Sequence, residues 1–192
     1  MNLINRLQSL VADRSDFLVE DERHFSADQV DHIPAAVLIA VTDRANPGII
    51  LTQRPDWLRS HAGQVAFPGG KIDASDRDPI DAALREAEEE IALPRSDVNV
   101  IGAGDVYYSG SGFQITPVLA IIAPDLPLSA NPDEVVDWFE VPMDFLLHAD
   151  NIKQKSAIWQ GHSRDYYEIM WNERRIWGVT AGIIANLARR FA

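Results

Sequence analysis

Four glutamates, Glu86 and Glu88 to Glu90, fall within five residues of the stretch FPGGKIDASDRDPIDAALREAEEEIAL (67–93), in a chain whose formal net charge is already −12. Like charges one helical turn apart destabilise a helix by roughly 0.2–0.5 kcal/mol per pair. No Lys or Arg stands four residues beyond any of them to offset that repulsion. Either these carboxylates form a solvated face, or a cation balances them. Hard divalent cations suit the second case. They take oxygen ligands from one or two carboxylates and complete their shells with water and phosphate oxygens.

The carboxylates need a helix to hold them. Asp78 is a good N-cap, Pro79 fits the first helical position, and Asp81 sits favourably near the N-terminal dipole. The helix is therefore expected from 79 to about 92, with Pro94 ending it. Ile80, Leu84, Ala87 and Ile91 share one stripe, the expected core face. Glu86 and Glu90 lie one turn apart on an adjoining face, Glu89 further round the same side, and Glu88 points away. Ala82 and Ala83 share the arc with these glutamates and read as leaving room for something bulky. The glycine-rich turn Pro68-Gly69-Gly70 precedes the loop that enters the helix.

The bulk numbers bound the rest. A chain of 192 residues, 46% hydrophobic, is long enough for one domain with a real core. Its 29 acidic against 17 basic residues argue against nucleic acid or an anionic membrane as partner. They do not exclude a phosphate substrate, since bound cations reverse the local sign. With no cysteine, disulfides and thiolate metal sites are impossible. No stretch reaches the ~18 apolar residues of a membrane span. The N-terminus lacks the pattern of a signal peptide, so a cytoplasmic protein is expected.

Along the chain, residues 2–12 have a helical pattern and the stretch to about 32 is polar, so 1–33 reads as a helical, peripheral and loosely packed extension ahead of a domain over 34–192. Strands are expected at 35–43 and 49–54 (a hairpin), and in a short piece at QVAF. Further strands are expected over 98–108, 113–123, 134–142, IKQKSAIW and DYYEIMWNERRIW. A short helix at 142–148 and a final amphipathic helix over GVTAGIIANLARRF complete the pattern. Strands interrupted by substantial helices indicate an α/β or α+β layered domain.

The segment from Gly70 to Leu93 resembles the Nudix box, Gly-x5-Glu-x7-Arg-Glu-U-x-Glu-Glu-x-Gly-U, where U is apolar. Arg85 to Leu93 matches its second half, with Ala92 where glycine is usual. The first half is one residue longer, Arg77 stands at the glutamate position, and Asp76 is the nearest acid. Upstream, IILTQRPDWLRSHAGQVAFPGG (49–70) is similar to the extended motif of the coenzyme A pyrophosphatase branch, through Leu51, Thr52, Arg54, Leu58, Arg59, His61, Gly63, Gln64 and Phe67 to Gly70. The resemblance covers about residues 34 to 190.

This resemblance implies an α/β/α sandwich with a mixed sheet and a catalytic loop-helix-loop. The implied activity is Mg²⁺- or Mn²⁺-dependent hydrolysis of coenzyme A or its thioesters to 3′,5′-ADP and 4′-phosphopantetheine. Glu86 and Glu90 would be the primary metal ligands, Glu89 a further ligand or the general base, and Arg85 their orienting partner. Glu134 stands where many Nudix enzymes place a late base or ligand. Arg54, Arg59 and His61 are the candidates for phosphate contacts, with Gln64, Gly69 and Gly70 shaping the entry. Trp57 reads as covering the core. A homodimer is a family-level expectation. Two alternatives stay open: a Nudix hydrolase for ADP-ribose or a dinucleotide, and a Nudix-like nucleotide-binding module without chemistry.

Overall fold

The computed structural model describes residues 3–12, 32–57, 62–159 and 162–191. Helix α1 (Leu3–Ala12) opens the chain, followed by strands β1 (Ile33–Thr42), β2 (Gly48–Gln53), β3 (Val65–Ala66) and β4 (Gly69–Lys71). Helix α2 (Pro79–Ile91) leads to β5 (Val98–Ala103), β6 (Tyr107–Tyr108), β7 (Phe113–Ile122) and β8 (Asp137–Pro142). The short α3 (Met143–Leu146), strands β9 (Lys153–Trp159), β10 (His162–Trp171) and β11 (Arg174–Trp177), and helix α4 (Val179–Phe191) complete it.

A mixed sheet in the order β3-β2-β1-β7-β5 forms the centre, with β8 on β2, β4 on β1 and β6 on β7. The long parallel pair β1–β7, in register from Ile33↔Phe113 to Thr42↔Ile122, is its spine. Both strands are apolar at successive positions, as expected for strands buried on two faces. Ile39, Val41, Leu51 and Leu119 pack on one side with Leu7 and Leu10 of α1 and Ile183 and Ile184 of α4. Ala36, Leu38, Ala40, Val118 and Ala120 pack on the other side with α2. A separate antiparallel sheet, β11-β10-β9, lies beside α4. The result is the expected α/β/α arrangement with a mixed sheet between helices.

Several expectations change. Of the 2–12 segment, Leu3–Ala12 is helical, but Leu7 and Leu10 are buried in the core, so this part of the N-terminal stretch is neither loose nor peripheral. The rest of the expected extension, residues 13–31, lies outside the described residues. The strand expected over 98–108 is two, β5 and β6, with a register shift between Val100 and Gly102. The last long strand is a hairpin, β10 and β11, turned at Asn172 with φ 52°. Pro68-Gly69-Gly70 is more than a turn, because Gly69 and Gly70 pair in β4 with Val37 and Ala36.

Candidate active site

Helix α2 begins and ends on local signals. The Asp78 carboxylate accepts from the Asp81 N–H (2.8 Å) and Pro79 takes the first helical position. At the other end Ala92 adopts left-handed backbone, φ 54° and ψ 34°, and its N–H donates to the Glu88 carbonyl. Ala82 and Ala83 are fully buried against the sheet. Their small size lets the helix approach the strands closely and leaves no room for a ligand, contrary to expectation. The buried face runs through Ala82, Ala83, Ala87, Glu90 and Ile91, so Glu90 is itself on the inner side, 3% exposed.

The helix C-terminus then gathers a distant segment. The Ile91 carbonyl accepts from Ser129 N–H (3.0 Å) and the Glu90 carbonyl from Asn131 N–H (2.8 Å). These bonds satisfy carbonyls that a helix end leaves without internal partners. They also dock the turn carrying Glu134, whose N–H bonds back to the Asn131 carbonyl. The Asn131 side-chain amide donates to Glu134 Oε1 (3.4 Å). Glu134 is therefore in a turn ahead of β8 rather than on a strand. Among the described residues, the metal-capable carboxylate group is Glu86, Glu90 and Glu134, with ligand atoms within 4.8 Å of one another.

Glu89, expected with Glu86 and Glu90 among the ligands, is not in that group. Its side chain is half-exposed and accepts from Arg85 Nη1 (2.9 Å), the same atom that donates to Glu86 Oε1 (2.9 Å). Arg85 is anchored by Asp76, with Nε to Oδ1 and Nη2 to Oδ2 both at 3.0 Å, and by the Lys71 carbonyl. Arg95 lies 3.4 Å from Glu88. The glutamates therefore do have arginine partners, which a count of residues four positions ahead overlooks. Glu90 is the exception: among the described residues its carboxylate has a hydrogen bond only from Gly69 N–H (3.3 Å).

The glycines permit this closeness. A Cβ at Gly70 would stand 2.4 Å from the Glu86 carboxylate, and one at Gly69 2.4 Å from the Ala36 carbonyl oxygen. Arg54 directly follows β2, and its Nε is buried without a hydrogen-bond partner among the described residues. Arg59 and His61 lie outside the described residues. Gln64 lines a cleft with Gln53, Arg174 and Trp177, whose lining includes none of the three clustered carboxylates. Trp57 is 71% exposed and does not cover the core.

The electrostatics follow from burial. Burial pushes the Glu90 carboxyl up to about 8, against the Gly69 hydrogen bond, with the Glu86 charge raising it further. Burial also raises Glu86, opposed by Arg85. Asp76 is held below its usual range by its hydrogen bond from Arg85. Three converging carboxylates, two of them desolvated, form an all-oxygen donor set that fits a hard divalent cation. Gln53, Asn131 and Arg174 were not singled out from the sequence. For Asn131 the Asn-Pro-Asp turn was a usable signal.

The NUDIX domain model matches residues 32–159. The Uncharacterized Nudix hydrolase NudL of Escherichia coli O7:K1 (strain IAI39 / ExPEC) is 48% identical over 159 residues, 83% of each chain. The protein of the same name in Escherichia coli (strain K12) matches to the same extent. Among solved structures, the Nudix hydrolase RenU from M. smegmatis has TM-score 0.50 and 25% identity, covering 59% of this chain and 72% of that one. A MutT/nudix family protein from Enterococcus faecalis has TM-score 0.52 and 12% identity, covering 85% and 62%, a likeness of fold alone. The match over residues 32–159, together with the 48% identity, makes this chain a member of the Nudix hydrolase family.

Proposed function

We propose that this Nudix hydrolase cleaves the pyrophosphate linkage of coenzyme A or its thioesters, giving 3′,5′-ADP and 4′-phosphopantetheine or its acyl form. The observation that carries the reading is the convergence of Glu86, Glu90 and Glu134 beside the strand formed by Gly69 and Gly70. The narrower substrate assignment is supported by the 49–70 segment, which leads from β2 through β3 into that same strand and contributes Arg54.

In this reading Glu86, Glu90 and Glu134 hold Mg²⁺ or Mn²⁺. When bound, such an ion screens the two phosphate charges and lowers the pKa of a coordinated water. Arg85 fixes the directions of Glu86 and Glu89, and Asp76 fixes Arg85. Glu89, half-exposed beside Glu86, is the residue assigned to accept the proton of the attacking water. Arg54, half-buried and with its Nε unbonded among the described residues, meets a phosphate oxygen. Gly69 and Gly70 keep the entry free of side chains. Arg59 and His61 remain assigned to the substrate's phosphates.

Turnover of coenzyme A, 3′-dephospho-coenzyme A and ADP-ribose, each with Mg²⁺, Mn²⁺ or chelator, tests this. A metal-dependent preference for coenzyme A is the expected result. Metal-dependent cleavage favouring ADP-ribose removes the substrate assignment and keeps the hydrolase. Cleavage of none of the three points to a binding module.

A further inference from the structure

Strands β2 and β8 pair from Gly48↔Pro142 to Gln53↔Asp137, and at that last rung the two chains part. Past Gln53 the chain reaches Arg54, whose charge acts on Glu90. Asp137 is reached from the turn carrying Glu134, three residues earlier and so at most about 10 Å of chain away. The Val136 N–H donates to the Gln53 carbonyl (2.9 Å) beside the same rung. The end of a ladder is where local opening costs least. Any looseness there passes directly to Glu134.

Arg174 staples this rung. Its Nη1 donates to Gln53 Oε1 and its Nη2 to Asp137 Oδ2, both over 2.5 Å, and its guanidinium lies 4.0 Å from the centre of the Phe139 ring. One planar fork thus bridges two directly opposed residues, with a carboxylate as one acceptor, which makes that bond a strong one. The support behind it is firm. Arg174 pairs with Trp171 across the two-residue turn Asn172–Glu173, and the Trp171 ring packs edge-on to Phe145 of α3 (4.7 Å). At the start of α4 the Thr180 hydroxyl donates to the Val65 carbonyl of β3 (3.2 Å). The β2–β8 ladder does not need the staple to form, because six paired positions join the strands and Leu51 and Val141 are buried. What Arg174 adds is a fixed direction for the chain where it leaves the ladder. The turn carrying Glu134 is then tied at both ends, by Asn131 to α2 and by Asp137 to Arg174.

We propose that Arg174 is a positioning residue for the carboxylate cluster: acting through Asp137, it fixes the end of the 131–137 turn and so sets where Glu134 stands relative to Glu86 and Glu90. The inference rests on the reading that Glu134 is a ligand of the cation. It gives the β10–β11 hairpin a part in the site, although the clustered carboxylates among the described residues all come from α2 and the turn ahead of β8.

The test is isothermal titration calorimetry of Mn²⁺ binding to the full chain, with Arg174→Met made both in wild type and in Glu134→Gln. Methionine keeps an unbranched stem against Phe139 and removes the fork. Arg174→Met should weaken Mn²⁺ binding about fivefold in the wild-type background, the scale of a change transmitted through intervening residues. In Glu134→Gln it should cause no further loss, as a double-mutant cycle requires of two residues on one path. Arg174→Lys, charged but without the planar fork, should fall between Met and wild type. Asp137→Ala removes the same bond from its other partner and carries the test if Arg174→Met does not fold. Unchanged affinity in Arg174→Met, or an equal loss in both backgrounds, as a merely structural arginine would give, overturns the inference. Unchanged affinity in Glu134→Gln alone takes Glu134 out of the ligand set, and the inference falls with that reading. Coenzyme A turnover does not enter the readout, so a failure of the substrate assignment is scored separately.

Discussion

The Asn131 N–H donates to the carbonyl of Glu90 over 2.8 Å, which joins a loop 41 positions further along the chain to the last turn of the glutamate helix. The bond leaves the Glu90 carboxylate free to face Glu86 and brings Glu134 to both. The side chain of Asn131 strengthens this by accepting from Asp133 N–H (3.2 Å) and donating to Glu134. Asn131→Ala should therefore keep the fold and weaken Mn²⁺ binding by about tenfold, the loss expected for a group supporting a ligand. Calorimetry with Mn²⁺ checks it.

Asp76 has a comparable effect at the other end of the cluster. Its side chain is 3% exposed and its two oxygens hold Arg85. Asp76→Ala should free Arg85 from its fixed direction and lower kcat about 10–100-fold, with a smaller change in KM. Asp76→Glu, which keeps the charge, should recover part of the loss. Steady-state kinetics of the two variants separate positioning from simple unfolding.

Ala92 stands in left-handed backbone on the surface, where the family pattern has glycine. An L-residue there costs roughly 1–2 kcal/mol that glycine avoids. Ala92→Gly should raise stability by about 1 kcal/mol in denaturant unfolding, with turnover unchanged. An unchanged midpoint would contradict the cap geometry.

The raised Glu90 carboxyl gives a pH dependence whose sign can be worked out. Folded protein without metal keeps this proton up to about 8, while the unfolded chain loses it near the ordinary value of 4.5. Between those values the folded state binds more protons, so metal-free stability falls as pH rises, by on the order of a few kcal/mol across the window. Glu90→Gln should flatten that fall. Mn²⁺ affinity should rise over the same window, because binding displaces the proton. Thermal melts between pH 5 and pH 8.5, with and without Mn²⁺, measure both.

What the sequence made legible was mostly local. Asp78, Pro79 and Pro94 fix the bounds of α2 through caps and backbone constraints that need no partner. Glu86 and Glu90 follow from helical spacing alone. The misjudged features depend on contacts distant in sequence. Ala82 and Ala83 look like space beside a site until β1 and β7 are seen to fill it. Gly69 and Gly70 read as a turn because only the pairing with Ala36 and Val37 makes them a strand. Glu134 displaces Glu89 from the carboxylate cluster because Asn131 docks on the helix end, a long-range hydrogen bond that no spacing rule contains. Arg85, read from the sequence as an orienting residue, bonds Glu86 and Glu89, but its anchor Asp76 lies nine positions back across a loop.

The central claim is that Glu86, Glu90 and Glu134 hold a cation on which turnover depends. The most direct test is Glu90→Gln, examined together by Mn²⁺ titration, coenzyme A turnover and thermal melting. The account predicts Mn²⁺ affinity lowered about tenfold or more and turnover lost, with a melting temperature at neutral pH no lower than wild type, since the variant removes a buried carboxylate and no core volume. A Glu90→Gln protein that binds Mn²⁺ normally and hydrolyses coenzyme A at near the wild-type rate would contradict it.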